Sequence, residues 1–364
     1  MRWPLVWLLG AVLFWILPGN CLAKGGFELS DSFLEPPMVN RPTEVTANLY
    51  LEDVNRIDVT AHSFDVTAQL VMQWRDVRLA KLFRPEDPLQ AREFEGFAAI
   101  EILKKLWHPE VEILNERGQR KTGVRGLEIH RDGRVSLFEK FDSQAHLEGD
   151  MYFFPFTVAR LRLAFDAFSQ NGREMKLTPG AFGAQAGLTM DEVVVGPWSY
   201  LSKGVESRES RRADEPDASY SRVDFVVDVQ RDIPSGVAIT ILPILLIWIC
   251  STALLWIDSG EFTSYAGPRI GGLVTLLLTS VALQLTLETR LPSVHYLTAP
   301  NLLFYETILL LTSGICLSVV YMHLYHRVSK EKARLFDRRL RFGYPIFAVV
   351  FLVVALAAFS YQVR

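Results

Sequence analysis

Residues 266–301 read AGPRIGGLVTLLLTSVALQLTLETRLPSVHYLTAPN, an apolar stretch of membrane-helix length that runs into Leu291-Pro292. On a helix, Gly271, Thr275, Leu278, Ala282, Leu285 and Thr289 follow one another at steps of 4, 3, 4, 3 and 4, the period of a single face. The other faces are mostly leucine and valine. A helix that touches only lipid has no use for Thr275, Gln284, Thr286 and Glu288, because polar groups at membrane depth face a protein interior or a water path. Two readings follow. Either the stripe lines a pore shared between subunits, or it belongs to a bundle helix whose threonines bond back to their own backbone.

Outward from this stretch, the 364-residue chain is 49% hydrophobic with a net charge of −3. That balance points to neither a nucleic-acid binder nor a polybasic membrane-surface protein. The hydrophobicity is unevenly spread. Residues 24–232 have soluble composition, and four apolar runs follow at Ile233–Ile257, Ile270–Leu287, Leu302–Tyr325 and Phe342–Tyr361. Each is long enough to cross a hydrocarbon core of about 30 Å, so spans are expected near 233–257, 267–288, 302–325 and 342–361.

Residues 1–23 read as a signal peptide, with Arg2, an apolar run Leu5–Leu17, a Pro18-Gly19 break and Cys21-Leu22-Ala23 before Lys24. Residues 24–232 are then expected in the periplasm or extracellular space, and residues 233–364 form a multi-pass domain in the cell (inner) membrane. Arg327, Lys330, Lys332, Arg334, Arg338, Arg339 and Arg341 crowd the expected cytoplasmic loop 326–341. Of three cysteines, Cys21 lies in the leader, and Cys250 and Cys316 lie in spans. The exported domain therefore has no disulfide, although its compartment permits one.

That domain reads as an all-β sandwich of immunoglobulin-like type. From Ser63, the residues Phe64, Val66, Ala68, Leu70, Met72 and Trp74 alternate with polar neighbours, the pattern of a half-buried strand. Shorter alternations occur at Val45–Leu51, Leu161–Phe165 and Val223–Val229, with turn signals at Asn115–Gly118, Arg131–Gly133 and Gln170–Gly172. Only Gln90–Leu106 has helical character. Ser202–Ser219, rich in Ser, Arg, Asp and Glu, reads as a long mobile hairpin tip.

Six motifs in order resemble those of the pentameric ligand-gated ion channels, the Cys-loop receptor superfamily. They are Trp74-Arg75-Asp76, Trp107-His108-Pro109-Glu110, Phe154-Pro155-Phe156, Arg231-Asp232-Ile233-Pro234, Pro243, and Leu291-Pro292 followed by Tyr296-Leu297-Thr298. The two cysteines that flank the family's signature loop would fall at Leu147 and Leu161, so this chain resembles the prokaryotic branch, which lacks that disulfide. The residues usual after Phe-Pro-Phe are replaced by Thr157 and Ala159.

The resemblance implies a homopentamer in a lipid bilayer, gated by a small-molecule agonist or protons and conducting monovalent ions, with four helices in the membrane and no cofactor or nucleic-acid partner. It implies a pore lined by Gly271, Thr275, Leu278, Ala282, Leu285 and Glu288, with Leu278 at the central hydrophobic ring. An aliphatic ring excludes water, and an ion there cannot cheaply shed its shell. Pro268-Arg269 points toward anions; Glu288 at the outer mouth favours cations, and the balance goes to cations. Phe168, Tyr220, Gln69 and Leu114 stand at ligand-site positions, where aromatic residues hold ammonium groups by cation–π attraction. Two of the four are not aromatic, so a quaternary-ammonium ligand is not implied. The acids Glu206, Glu209, Asp214, Glu215 and Asp217 on the hairpin read as a solvated charge run. Coupling between domains is expected at the turn Thr60–Ser63, at Phe154, Pro155 and Phe156, and at Arg231, Pro292 and Tyr296. Arg231 is expected to pair with Asp58 or Asp53.

Three rivals stand beside this reading. The sequence has no His-Glu-x-x-His, Gly-x-Ser-x-Gly or phosphate loop, which argues against an enzyme. A non-conducting receptor or scaffold would share the fold. A proton-gated channel would sense pH through groups such as Asp31, Glu35, Glu110 or His295.

Overall fold

The computed structural model describes residues 33–363 apart from 39, 82, 84–88, 150–151, 155, 195, 213–214, 233–236, 258–262, 290–293 and 295. The signal peptide, Pro155, Pro292 and His295 lie outside the described residues. Ten strands build the N-terminal domain: β1 (Thr43–Asp58), β2 (Ser63–Arg75), β3 (Ala91–Glu95), β4 (Val111–Ile113), β5 (Lys121–His130), β6 (Arg134–Gly149), β7 (Val158–Ala167), β8 (Met175–Ala184), β9 (Trp198–Arg211) and β10 (Ser219–Arg231). Three short helices interrupt them, α1 (Val77–Ala80), α2 (Gly96–Leu103) and α3 (Met190–Val193). The pairing order β8-β1-β2-β6-β7-β10-β9 forms two layers, with β5 on β6, β3 on β5 and β4 on β7.

Strand β6 joins the layers. Its residues from Arg134 to His146 pair with β2, whereas Leu147–Gly149 pair with β7. Between the layers Phe141, Phe165 and Phe225 follow edge on face with ring centroids 6.1 and 5.8 Å apart, and Phe182 lies tilted against Phe225 at 5.2 Å, contacts that add to simple area burial. The alternation expected in β2 is realised: every inward residue from Phe64 to Trp74 is buried.

The motif residues Trp74 and Trp107 meet edge to face at 6.1 Å in this core. Asp76 is fully buried and caps α1, accepting from the Arg78 amide at 3.0 Å and from its guanidinium at 2.9 and 2.7 Å. The Asp76 amide donates to Gly133. Gly133 has φ +83°, and a Cβ there would sit 2.7 Å from the Asp76 carbonyl, so the turn requires glycine. Trp74, Trp107 and Asp76 of the two motifs are therefore part of the core.

Leu147 and Leu161, the positions of the absent cysteines, are direct cross-strand partners. Both are buried. The Leu147 amide donates across to the His62 carbonyl, so the pair is of the non-hydrogen-bonded kind, whose Cα atoms approach to about 4.5 Å. That separation suits a disulfide. In Leu147→Cys/Leu161→Cys, oxidation should consume both thiols, and the oxidised form should exceed its own reduced form in stability by about 3 kcal/mol for a loop of about 15 residues. Free-thiol titration and thermal unfolding of both forms check this; thiols that stay titratable would contradict the register.

Two expected features differ. Residues 91–95 of the expected helix form β3 against β5, and only Gly96–Leu103 is helical. Ser202–Arg211, expected in a mobile tip, is continuous strand paired with β10 through Ser219↔Arg211. Its charges are met across and along the ladder, as where Arg208 pairs with Glu206.

Four helices follow: α4 (Leu242–Leu255, entered by a π turn Val237–Ile241), α5 (Thr263–Glu288), α6 (Ala299–His323, left by a π turn Leu324–Val328) and α7 (Lys330–Val363). Pro243 opens α4; a proline here has no N–H to donate and crowds the carbonyl four residues back, which the wider turn before it accommodates. Residues 267–288 and 299–328 are long and apolar enough to cross a membrane, and Leu242–Leu255 is a shorter apolar helix. The expected loop 326–341 is mostly helix. Ala333, Asp337, Leu340, Tyr344 and Ala348 form one buried stripe, and that stripe carries α7 unbroken through the basic segment.

Side-chain bonds tie the bundle. Trp248 Nε1 donates to Thr307 Oγ1 at 2.9 Å, and the Tyr344 hydroxyl donates to the Leu310 carbonyl at 3.0 Å. Helices α4 and α5 touch at Gly272, where a Cβ would lie 2.8 Å from Leu254.

Candidate functional site: an uncovered helix face, a domain junction and an aromatic pair

Helix α5 has two unlike faces. Leu273, Ser280, Gln284 and Leu287 are buried against the neighbouring helices, whereas Gly271, Thr275, Leu278, Ala282, Leu285, Glu288 and Thr289 are exposed. Only 17% of the α5 span is buried, against 39% of the α6 span. Leu278 and Leu285 keep 66% and 59% of their surface uncovered. Among the described residues nothing lies within 4 Å of a Cβ built on Gly271, so no packing among them accounts for a glycine there. The hydroxyls of Thr275, Thr279 and Thr286 donate to the carbonyls four residues back at 2.9 Å. The bond-back expected of an ordinary bundle helix is thus present, but on the uncovered face. Gln284 reaches Glu288 Oε1 at 3.2 Å, placing a carboxylate at the end nearer the β domain.

Arg269 is directed elsewhere. Its side chain is 1% exposed, its guanidinium donates to Asp337 Oδ1 at 2.8 Å, and it lies 5.7 Å over the Tyr321 ring. Arg341 holds the other Asp337 oxygen at 2.6 Å. The charge that pointed toward anions is therefore spent inside the bundle, leaving Glu288 as the charge on the exposed stripe.

The junction brings the expected coupling residues together in part. The Arg231 guanidinium lies 5.7 Å over the ring of buried Phe154. Asp58, one expected partner of Arg231, is paired with Arg56 and accepts the Ala61 amide at 2.9 Å. The Tyr296 ring packs tilted against Tyr152 at 4.1 Å, and the Ala299 amide at the head of α6 donates to the Tyr152 carbonyl at 2.7 Å. Tyr152 carries no motif signal. Phe156 closes the turn through its amide to Phe153 O. Elsewhere in the β domain the His62 and His146 rings stack at 6.2 Å, and Arg117 donates to the Ala61 carbonyl. Burial, then His146, then Arg117, hold the His62 imidazole below its ordinary value near 6.5.

Of the four expected ligand-site residues, two meet. Phe168 is half exposed, Tyr220 is buried, and both rings face Arg212. Gln69 lies on β2 in the other layer, paired with Tyr50 and Lys140. Leu114 follows β4, with its amide on Ala164 O.

A β-sandwich joined to a helical membrane bundle, with an uncovered mixed face on the second long helix, defines the class of ligand-gated membrane channels built as rings. Residues 27–233 match the family described as neurotransmitter-gated ion-channel ligand binding domain, and the chain belongs to it. Among its relatives is a proton-gated ion channel of Gloeobacter violaceus, 25% identical over 330 residues that cover 90% of this chain and 86% of the relative. The human neuronal acetylcholine receptor subunit alpha-10 is 26% identical, with 87% and 70% covered. The human glycine receptor subunit beta is 24% identical over 84% of this chain, which spans 60% of that subunit. The family consists of ligand-gated ion channels, which are not enzymes.

Proposed function

We propose that five copies of this chain form a cation-selective channel of the cell (inner) membrane, with the β domain outside and α5 lining the pore. One observation carries this reading: the face of α5 running from Gly271 through Leu278 to Glu288 is left uncovered by the subunit while the opposite face is packed. Repeated around an axis, Leu278 would form the hydrophobic constriction and Glu288 an acidic outer ring. The burial of Arg269 on Asp337 removes the competing cationic charge from the stripe. Currents from the purified protein in planar bilayers, with reversal potential taken under a salt gradient, test the reading. A reversal toward the cation equilibrium potential is expected; reversal at the anion potential would overturn the selectivity.

The His62–His146 pair favours protons as the agonist, as does similarity to a proton-gated channel. Protonation of His62 is disfavoured in this conformation, so acid works against it: the depressed folded value means stability is lost as pH falls below about 6.5. Any arrangement that separates His62 from His146 and Arg117 gains population as protons bind. His62 also has φ +50°, which asparagine tolerates. His62→Asn should shift half-activation to lower pH by roughly half a unit to one unit. An unchanged pH–current curve would remove this pair from proton sensing.

A further inference from the structure

The aromatic pair Phe168 and Tyr220 is already occupied, and its occupant belongs to the chain. The Arg212 guanidinium carbon lies 4.2 Å from the Tyr220 ring centroid and 5.4 Å from that of Phe168. One guanidinium nitrogen donates to the Ala167 carbonyl at 2.8 Å, and Glu112 lies 3.6 Å away. Two π faces, a carbonyl and a carboxylate thus converge on one planar cation, each a group that recognises such a cation. The partners come from three places: β4 gives Glu112, the end of β7 gives Ala167 and Phe168, and β10 gives Tyr220. Arg212 itself follows the end of β9, at the tip of the hairpin.

Two nearby arginines of the hairpin behave differently. Arg208 pairs with Glu206 and Arg222 with Asp224, each on its own strand, ordinary along-ladder contacts. Arg212 instead reaches off the hairpin onto the body of the domain. The hairpin is fastened there a second time, where the Ser210 hydroxyl donates to Asp166 at 2.6 Å. Tyr220 is fixed from behind by its hydroxyl bond to Glu215 at 2.7 Å, so its ring is held in place for the cation. Phe168 and Glu112 also line an open cavity of about 460 Å³, which leaves room beside the site.

We infer that this is a binding site for small planar organic cations, guanidinium or amidinium compounds, in which Arg212 is a tethered occupant that keeps free ligands out and pins the hairpin tip to the domain. A tethered group competes at an effective concentration in the millimolar range or above, so a free cation gains access only when Arg212 is displaced or removed. The inference rests on reading Phe168 and Tyr220 as ligand-site residues; it does not depend on conduction.

Ethylguanidinium is the probe, titrated calorimetrically into the full-length protein in detergent, with size-exclusion chromatography reporting assembly. Arg212→Ala and Arg212→Gln should each bind it at least roughly tenfold more tightly than the natural protein, since an aromatic pair, a carbonyl and a carboxylate are vacated together. Arg212→Gln serves if the alanine variant assembles poorly. Adding Phe168→Ala to either variant should abolish the gain. Equal weak affinity in natural and Arg212-substituted protein would overturn the inference, as would a gain that survives loss of Phe168. If the expected binding appears but no current can be evoked from any form, the failure lies with the channel reading and not with this site.

Discussion

Leu278→Ala should conduct at rest and respond to weaker stimulation than the natural channel. The substitution removes three carbons from a side chain that is 66% exposed on the single subunit, so its apolar surface is covered, if at all, by other copies around the axis. Full burial of those carbons is worth about 0.8 kcal/mol each. If the closed ring gains even about 0.5 kcal/mol per subunit from such contact, five subunits contribute about 2.5 kcal/mol, between one and two orders of magnitude in the opening equilibrium. Removing the leucines also widens and wets the constriction, which acts in the same direction. Leu273→Ala is the contrast, because Leu273 is fully buried on the opposite face. It should cost about 2–5 kcal/mol of stability without producing resting current. Leak and dose–response are read in the same recordings. Assembled Leu278→Ala protein that stays silent would favour the non-conducting receptor.

The sequence made the α5 face legible because a membrane helix offers few reasons for polar residues, so a stripe at helical spacing stands out against leucine and valine. Strand β2 was legible for a similar reason: its inward positions are all apolar. Strand β6 was not, although its burial alternates just as regularly. Two of its inward positions are Glu139 and Ser143. Glu139 is buried because Thr122, Arg125 and Arg120 meet it from β5 and the preceding loop, and no periodicity announces partners so distant in sequence. The β9–β10 hairpin misled in the other direction, since the composition of Ser202–Arg211 is that of a solvated loop while that segment is laddered against β10. Arg212 escaped notice because nothing in a run of charged residues distinguishes one that reaches the aromatic pair. Tyr152 was hidden likewise, its role being set by Tyr296 in another domain.

Asp337→Ala should be the most destabilising single change in the helical bundle, and more damaging than Arg269→Met. The asymmetry follows from who is left behind. Without Asp337, Arg269 remains 1% exposed with its charge uncompensated, and Arg341 loses the same partner. Breaking a buried pair in this way costs about 3–5 kcal/mol, which lowers the thermal midpoint of the solubilised assembly by on the order of 10 °C. In Arg269→Met the aspartate keeps Arg341 at 2.6 Å, and the methionine occupies space next to the Tyr321 ring, so the loss should be less than half as large. The double variant Arg269→Met/Asp337→Leu should recover most of the stability lost in Asp337→Ala, because well-packed apolar residues replace a buried pair at little net cost. The pair joins the start of α5 to α7, and neither residue lies on the exposed stripe. Ion selectivity should accordingly survive in every variant that assembles. A reversal potential that moved with Arg269→Met would place the guanidinium in the permeation path and restore it as a selectivity element; an unmoved one leaves Glu288 as the charge that the ions meet.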